Sequence, residues 1–148
     1  MLLLDVNVLL YAFRSDAPAH AACRRWLDST LDTESDLVGL ADIVLSAFLR
    51  IVTHPRIFQP PTPIESALQF VAELQAQPAS LSIAPGPRHW GIFVRLCRQT
   101  PASGNLVPDA YLAALAIESG SEWITTDRDY SRFPGLRWRH PFDYQLPR

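Results

Sequence analysis

Hydrophobic and polar positions alternate along this chain in blocks too short for strands alone and too varied for helices alone. The apolar run Met1-Leu2-Leu3-Leu4 stops at Asp5 and reads as a buried parallel strand, and Val6 to Phe13 continues as a short apolar helix. Pro18 opens a second helix with Ala22, Trp26 and Leu27 inward, running to about Leu31. Asp36 to Leu40 is a second strand, and Asp42 to Thr53 a helix that His54-Pro55 ends, with Asp42 as its N-cap. Thr62-Pro63-Ile64-Glu65 has the form of a capping box and predicts a helix to about Ala76. Leu81 to Ala84 is a third strand, Pro87 to Gln99 a helix, and Val107 to Ser119 a helix closed by Gly120. Trp123 to Thr126 is a fourth strand ending at Asp127, and Leu136-Arg137-Trp138 offers a short fifth.

Strands alternating with longer helices predict an α/β domain, three-layered, with a mostly parallel central sheet of four to five strands. The length of 148 residues suits one domain over 1–148, since the 13 prolines fall at turns and helix starts and mark no boundary. No apolar run is long enough for a membrane span, and no signal-peptide pattern opens the chain, so a cytoplasmic protein is expected. Cys23 and Cys97 read as reduced thiols in or near the core.

The net charge of −2 excludes a generally basic nucleic-acid coat, yet all 13 basic residues are Arg. Arg binds phosphate through a planar fork, so local clusters still matter. Arg95 and Arg98 share a helix face, with Arg88 earlier on the same segment, and suit either a phosphate grip or a solvated face. His20, His54, His89 and His140 show no metal-ligand spacing and are expected to be structural. Trp26, Trp90, Trp123 and Trp138 are expected to serve as core or subunit contacts.

Three aspartates stand where chemistry is expected. Asp5 ends the first strand and Asp127 the fourth, and an open parallel sheet binds ligands outside the carboxyl ends of its strands. Asp109 lies in the first turn of the preceding helix, where a carboxylate is favoured. Gathered carboxylates repel unless protons or a cation neutralise them. Oxygen donors with retained waters suit Mg²⁺ or Mn²⁺, which can activate water for in-line attack on a phosphodiester. Asn7, Thr125 and Thr126 are candidates to orient ligands or water. Asp129 is a supporting acid or, preferably, the cap of the turn into Tyr130-Ser131-Arg132-Phe133.

The ordered motifs resemble the PIN-domain family. Leu3-Leu4-Asp5-Val6-Asn7-Val8-Leu9-Leu10-Tyr11-Ala12 is similar to its opening. Gly104-Asn105-Leu106-Val107-Pro108-Asp109-Ala110-Tyr111 is similar to the segment with its third acid, and Ile124-Thr125-Thr126-Asp127-Arg128-Asp129-Tyr130 to its final acidic motif. Val52-Thr53-His54-Pro55-Arg56-Ile57-Phe58 and Arg132-Phe133-Pro134-Gly135-Leu136-Arg137-Trp138 resemble the VapC branch well represented in mycobacteria. The resemblance implies a homodimer that cleaves tRNA or rRNA with Mg²⁺ or Mn²⁺. It also implies a small VapB-like antitoxin, which blocks the acidic groove and contacts operator DNA. Asp5, Asp109 and Asp127 would be the metal-binding carboxylates. One departure is Ala47, where PIN domains usually carry a Glu. Asp42, about 140° around the helix from Ala47, is no simple substitute, which leaves Ser46 or a water to fill the gap. The alternative is a PIN module that binds RNA or an antitoxin without cutting. A receiver or aspartate phosphatase is disfavoured by the absence of Lys and, for the phosphatase, by Asn7 in place of Asp.

Overall fold

Three leucines in succession, each at most 6% exposed, make the strand Leu2–Leu4 (β1), and burial on both faces requires that it lie inside the sheet. The computed structural model, which describes residues 1–33 and 35–143, places it there. The order is β3-β2-β1-β4-β5, with β2 at Val38–Ala41, β3 at Ser80–Ile83, β4 at Glu122–Ile124 and β5 at Trp138–Arg139. Every pairing is parallel.

Helices α1 (Val6–Phe13), α2 (His20–Thr33), α3 (Asp42–Val52) and α4 (Ile64–Gln75) link the first three strands and pack on one another. Helices α5 (His89–Gln99) and α6 (Leu106–Ser119) carry the chain from β3 back past β2 and β1 to β4, and pack together. The three-layer α/β/α expectation is met. The chain leaves β1 in one direction and returns to β4 on its other side, so the strand order reverses between β1 and β4. Ligand sites of open parallel sheets lie at the carboxyl ends of the strands at such a switch point.

The core is aliphatic around β1, with Leu3, Leu4, Val8, Leu9 and Leu115 essentially inaccessible. Each buried side chain of this size is worth about 1.5–3 kcal/mol. Gly39 of β2 is a packing requirement: a Cβ there would meet Ile83 Cγ1 at 3.0 Å and Leu3 Cδ1 at 3.1 Å. Gly120 ends α6 at φ 67°, the left-handed cap expected from sequence. Cys23 is buried, Cys97 half-buried, and both are free thiols.

Several local expectations are corrected. Helix α2 begins at His20, because Ala19 has φ 56° and cannot be helical. Thr62 does not cap α4: the cap position is Pro63, without a side-chain bond, and Thr62 Oγ1 accepts from Arg14 Nη1 at 3.1 Å. Asp42 is the first residue of α3 and makes no cap; Ala41 holds that position. Of the tryptophans expected as core or subunit contacts, Trp123 is fully buried in the core, while Trp90 is 66% exposed and falls to the second alternative. The histidines are structural, as expected. His89 bonds to the Tyr111 carbonyl and His20 to that of Tyr11, while His54 and His140 accept from the amides of Arg56 and Phe142.

Candidate metal centre

Leu4 and Ile124 are paired across β1 and β4, so the next residues, Asp5 and Thr125, emerge side by side at the carboxyl edge. Asp5 serves as N-cap of α1, its Oδ1 accepting from the Val6 amide at 2.7 Å. Its Oδ2 accepts from Thr125 Oγ1 at 2.7 Å and from Asn7 Nδ2 at 3.2 Å. Asn7 Nδ2 also reaches Thr125 Oγ1, and Asn7 Oδ1 accepts from the Thr126 amide, both at 3.2 Å. Thr125 Oγ1 in turn accepts from the Asp127 amide at 3.0 Å. The strand end is thereby tied to the start of α1.

Asp127 leaves β4 and N-caps the 3-10 turn Arg128–Arg132, accepting from the Asp129 amide at 2.9 Å. The cap foreseen for Asp129 thus belongs to Asp127. Asp129 is exposed, and its carboxylate lies 3.6 Å from Arg132 Nη2. Asp109, in the first turn of α6, accepts from the Tyr130 hydroxyl at 3.3 Å. Ser46 is exposed on α3, and no hydrogen bond joins it to these carboxylates among the described residues.

Asp5 and Asp109 both lie within reach of neighbouring negative charge. Burial raises the Asp5 carboxyl to about 6, against the hydrogen bonds from Thr125 and Val6, and the charges of Asp109 and Asp127 add to the rise. Asp109 is also raised, first by burial, with Asp127 and Asp129 contributing, while Tyr130 and Arg132 oppose. The Tyr130 phenol is held neutral, its proton affinity raised by burial and by the charges of Asp5, Asp109 and Asp127.

Tyr130 is a site residue that periodicity did not disclose. Its signal was the spacing from Asp127: three residues along a 3-10 turn return to the same side, facing α6. It is 3% exposed and packs against Trp123 at 5.4 Å and Phe133 at 5.7 Å between ring centres.

The donors are hard oxygens of like charge, the chemistry that suits Mg²⁺ or Mn²⁺. Among the described residues no three Asp, Glu, His or Cys side chains stand close enough to enclose an ion directly. Such spacing fits a cation that keeps several of its waters.

Acids at the strand ends where the order of a five-stranded parallel sheet reverses define a carboxylate-centred α/β domain. The chain belongs to the PIN-domain family, whose model matches residues 2–136. Over 145 residues it is 46% identical to VapC ribonuclease Mb2897 of Mycobacterium bovis, and equally to ribonuclease VapC43 of Mycobacterium tuberculosis; each alignment covers 98% of both chains. It is 43% identical to ribonuclease VapC25 of M. tuberculosis, covering 95% of this chain and 99% of the relative. The fold is shared with VapBC2 of Rickettsia felis bound to a promoter DNA fragment, at TM-score 0.70 and 16% identity over 94% and 97% of the chains. It is shared also with VapC20 of M. tuberculosis, a toxin that cleaves a sarcin–ricin loop, at TM-score 0.63 and 15% identity over 93% and 99%.

Proposed function

We propose that this protein is a metal-dependent endoribonuclease acting as the toxin of a type II toxin–antitoxin pair, with structured RNA (tRNA or rRNA) as substrate. The observation that carries this reading is the hydrogen-bond network that links carboxylates from three separate elements: Thr125 joins Asp5 to the Asp127 amide, Tyr130 on the turn that Asp127 caps reaches Asp109, and the charges of Asp109 and Asp127 both bear on Asp5. A fold without chemistry to perform gains nothing from that repulsion. The whole-length similarity to VapC ribonucleases supports the reaction class.

Mg²⁺ or Mn²⁺ held among Asp5, Asp109 and Asp127, in part through waters it retains, would supply the charge that lowers the proton affinity of water and offsets the charge of the phosphate. Thr125 and Asn7 fix the Asp5 carboxylate by donating to Oδ2, so that Asp5 presents one orientation. Tyr130 does the same for Asp109 from the opposite element. Ala47 supplies no fourth acid from α3, and we infer one firmly held ion, with any second recruited together with RNA. Calorimetric titration showing two tight sites in the free protein contradicts that inference.

A VapB-like antitoxin is the proposed protein partner, through which operator DNA is bound, and the toxin is proposed to be a homodimer. VapBC complexes share the fold. Ala47 favours a second reading, a module that binds RNA or antitoxin without cleavage. The two separate in one assay. Purified protein is incubated with total bacterial RNA and Mn²⁺, with chelator, and as Asp5→Asn. Discrete products requiring both metal and Asp5 support the nuclease; retention of RNA without products in any arm supports the binding module.

A further inference from the structure

A site built from carboxylates must still draw in a polyanion, and the chain's own cations are unequally free to help. The Arg128 guanidinium is held by both oxygens of Asp143, at 3.1 and 3.2 Å. That of Arg139 is paired with Glu122, and that of Arg14 is bound to Asp16, the Pro60 carbonyl and Thr62. Arg88 and Arg137 donate to backbone carbonyls of Glu118 and Gly120.

Arg132 differs. Its Nε donates to the Asp129 carbonyl at 3.0 Å, which aims the side chain, while Nη2 stands 3.6 Å from Asp129 Oδ2, beyond a hydrogen bond. Arg132 is 46% exposed and Asp129 is 75% exposed, so this ion pair is open to exchange. The residue closes the same short turn that Asp127 caps and that sends Tyr130 to Asp109. One 3-10 turn therefore fixes an acid of the site, the partner of a second acid, and a guanidinium with unused donors. The positive charge of Arg132 also bears on Asp109, opposing the rise in its proton affinity.

We propose that Arg132 anchors the RNA phosphodiester, its planar fork leaving Asp129 to take non-bridging oxygens of a phosphate at or beside the cleaved one. The anchor forms charge-assisted hydrogen bonds only and takes no part in proton transfer. It rests on the endoribonuclease reading and adds the residue that positions substrate over the acids.

The test compares wild type, Arg132→Gln and Arg132→Lys on total bacterial RNA with Mn²⁺, scoring initial rates at each new 5′ end across a salt series. Mn²⁺ affinity is measured in parallel by calorimetry without RNA. Arg132→Gln is expected to lose roughly tenfold to a hundredfold in kcat/KM, mostly through KM. The salt dependence of binding should flatten by about one phosphate contact. Mn²⁺ affinity should stay equal or rise, since a positive charge has left the metal's neighbourhood. Arg132→Lys keeps the charge without the fork and recovers only part of the loss. Cleavage by Arg132→Gln within twofold of wild type, or a loss traced to weaker Mn²⁺ binding, overturns the anchor while leaving the nuclease standing. A folded wild type that cuts nothing overturns both.

Discussion

Asp5 and Thr125, 120 positions apart in sequence, are joined by a 2.7 Å hydrogen bond from the threonine hydroxyl to the carboxylate at the point where β1 and β4 end together. That hydroxyl also accepts from the Asp127 amide and from Asn7. One buried oxygen thus ties two of the proposed metal-binding acids and a supporting amide to the sheet. Thr125→Val keeps the shape and removes the oxygen. The expected cost is about 1–3 kcal/mol, from the orphaned Asp127 amide and the loss of a donor to Asp5. Urea denaturation checks it, and a cost near zero would mean the network does not order the site.

The charge on Asp5 makes a pH signature. Its carboxyl titrates at about 6 in the folded protein against 3.8 ordinarily, so the native state keeps a proton that the unfolded chain sheds between those values. Stability of the metal-free protein should be fullest near pH 4, fall as pH rises through about 6, and level off above. The loss is on the order of 2–3 kcal/mol. The raised carboxyl of Asp109 acts in the same direction. Asp16, Glu118 and Asp143 are lowered, so their contribution is lost only at more acid pH. Asp5→Asn should flatten the decline between pH 4 and 6.5, and a decline of unchanged size would place its origin elsewhere. The substitution gains less than the repulsion it removes, because an Asn amide faces three donors: Val6, Thr125 and Asn7.

Divalent metal should reverse that loss at neutral pH. A cation that binds only the folded state stabilises by about 2.7 kcal/mol at a hundredfold excess over its Kd. Thermal melts with Mg²⁺ or Mn²⁺ should therefore shift upward in wild type and much less in Asp5→Asn or Asp109→Asn. Chelator should return wild type to its metal-free value. An equal shift in all three proteins would signify binding away from these acids.

Arg14 is the main polar tie outside the site. Only 12% of its side chain is exposed; it pairs with Asp16 at 2.6 Å, donates to Thr62, and lies 4.3 Å over the Phe58 ring. Arg14→Met preserves much of the stem and strips the guanidinium, leaving buried Thr62 without that donor. A loss of about 1–3 kcal/mol in denaturation is expected, with RNA cleavage per folded molecule unchanged.

The legible parts of this fold are those where local and tertiary demands coincide. Asp5 ends an apolar strand and caps a helix at once, so the β1–α1 boundary is written in the sequence itself. Gly120 terminates α6 for a local reason, the left-handed backbone. Thr62 was misread because its partner, Arg14, lies 48 residues upstream, and a capping motif carries no trace of it. The sequence does not separate exposed Trp90 from buried Trp123, because residue type predicts burial only on average. Among candidate site residues, Asp5 and Asp127 follow from the strand rule and Asp109 from its helix N-terminus and motif, while the contact that joins Asp109 to the turn after Asp127 is supplied by the fold. Tyr130 and Arg132 became visible only once the turn after Asp127 was placed against α6.

The most direct measurement of the central claim is mapping of new RNA 5′ ends across a bacterial transcriptome after brief induction, wild type against Asp5→Asn at matched soluble levels. Discrete ends in tRNA or rRNA that appear only with wild type are the predicted result. Identical end profiles from the two proteins, both folded, would contradict a nuclease centred on Asp5.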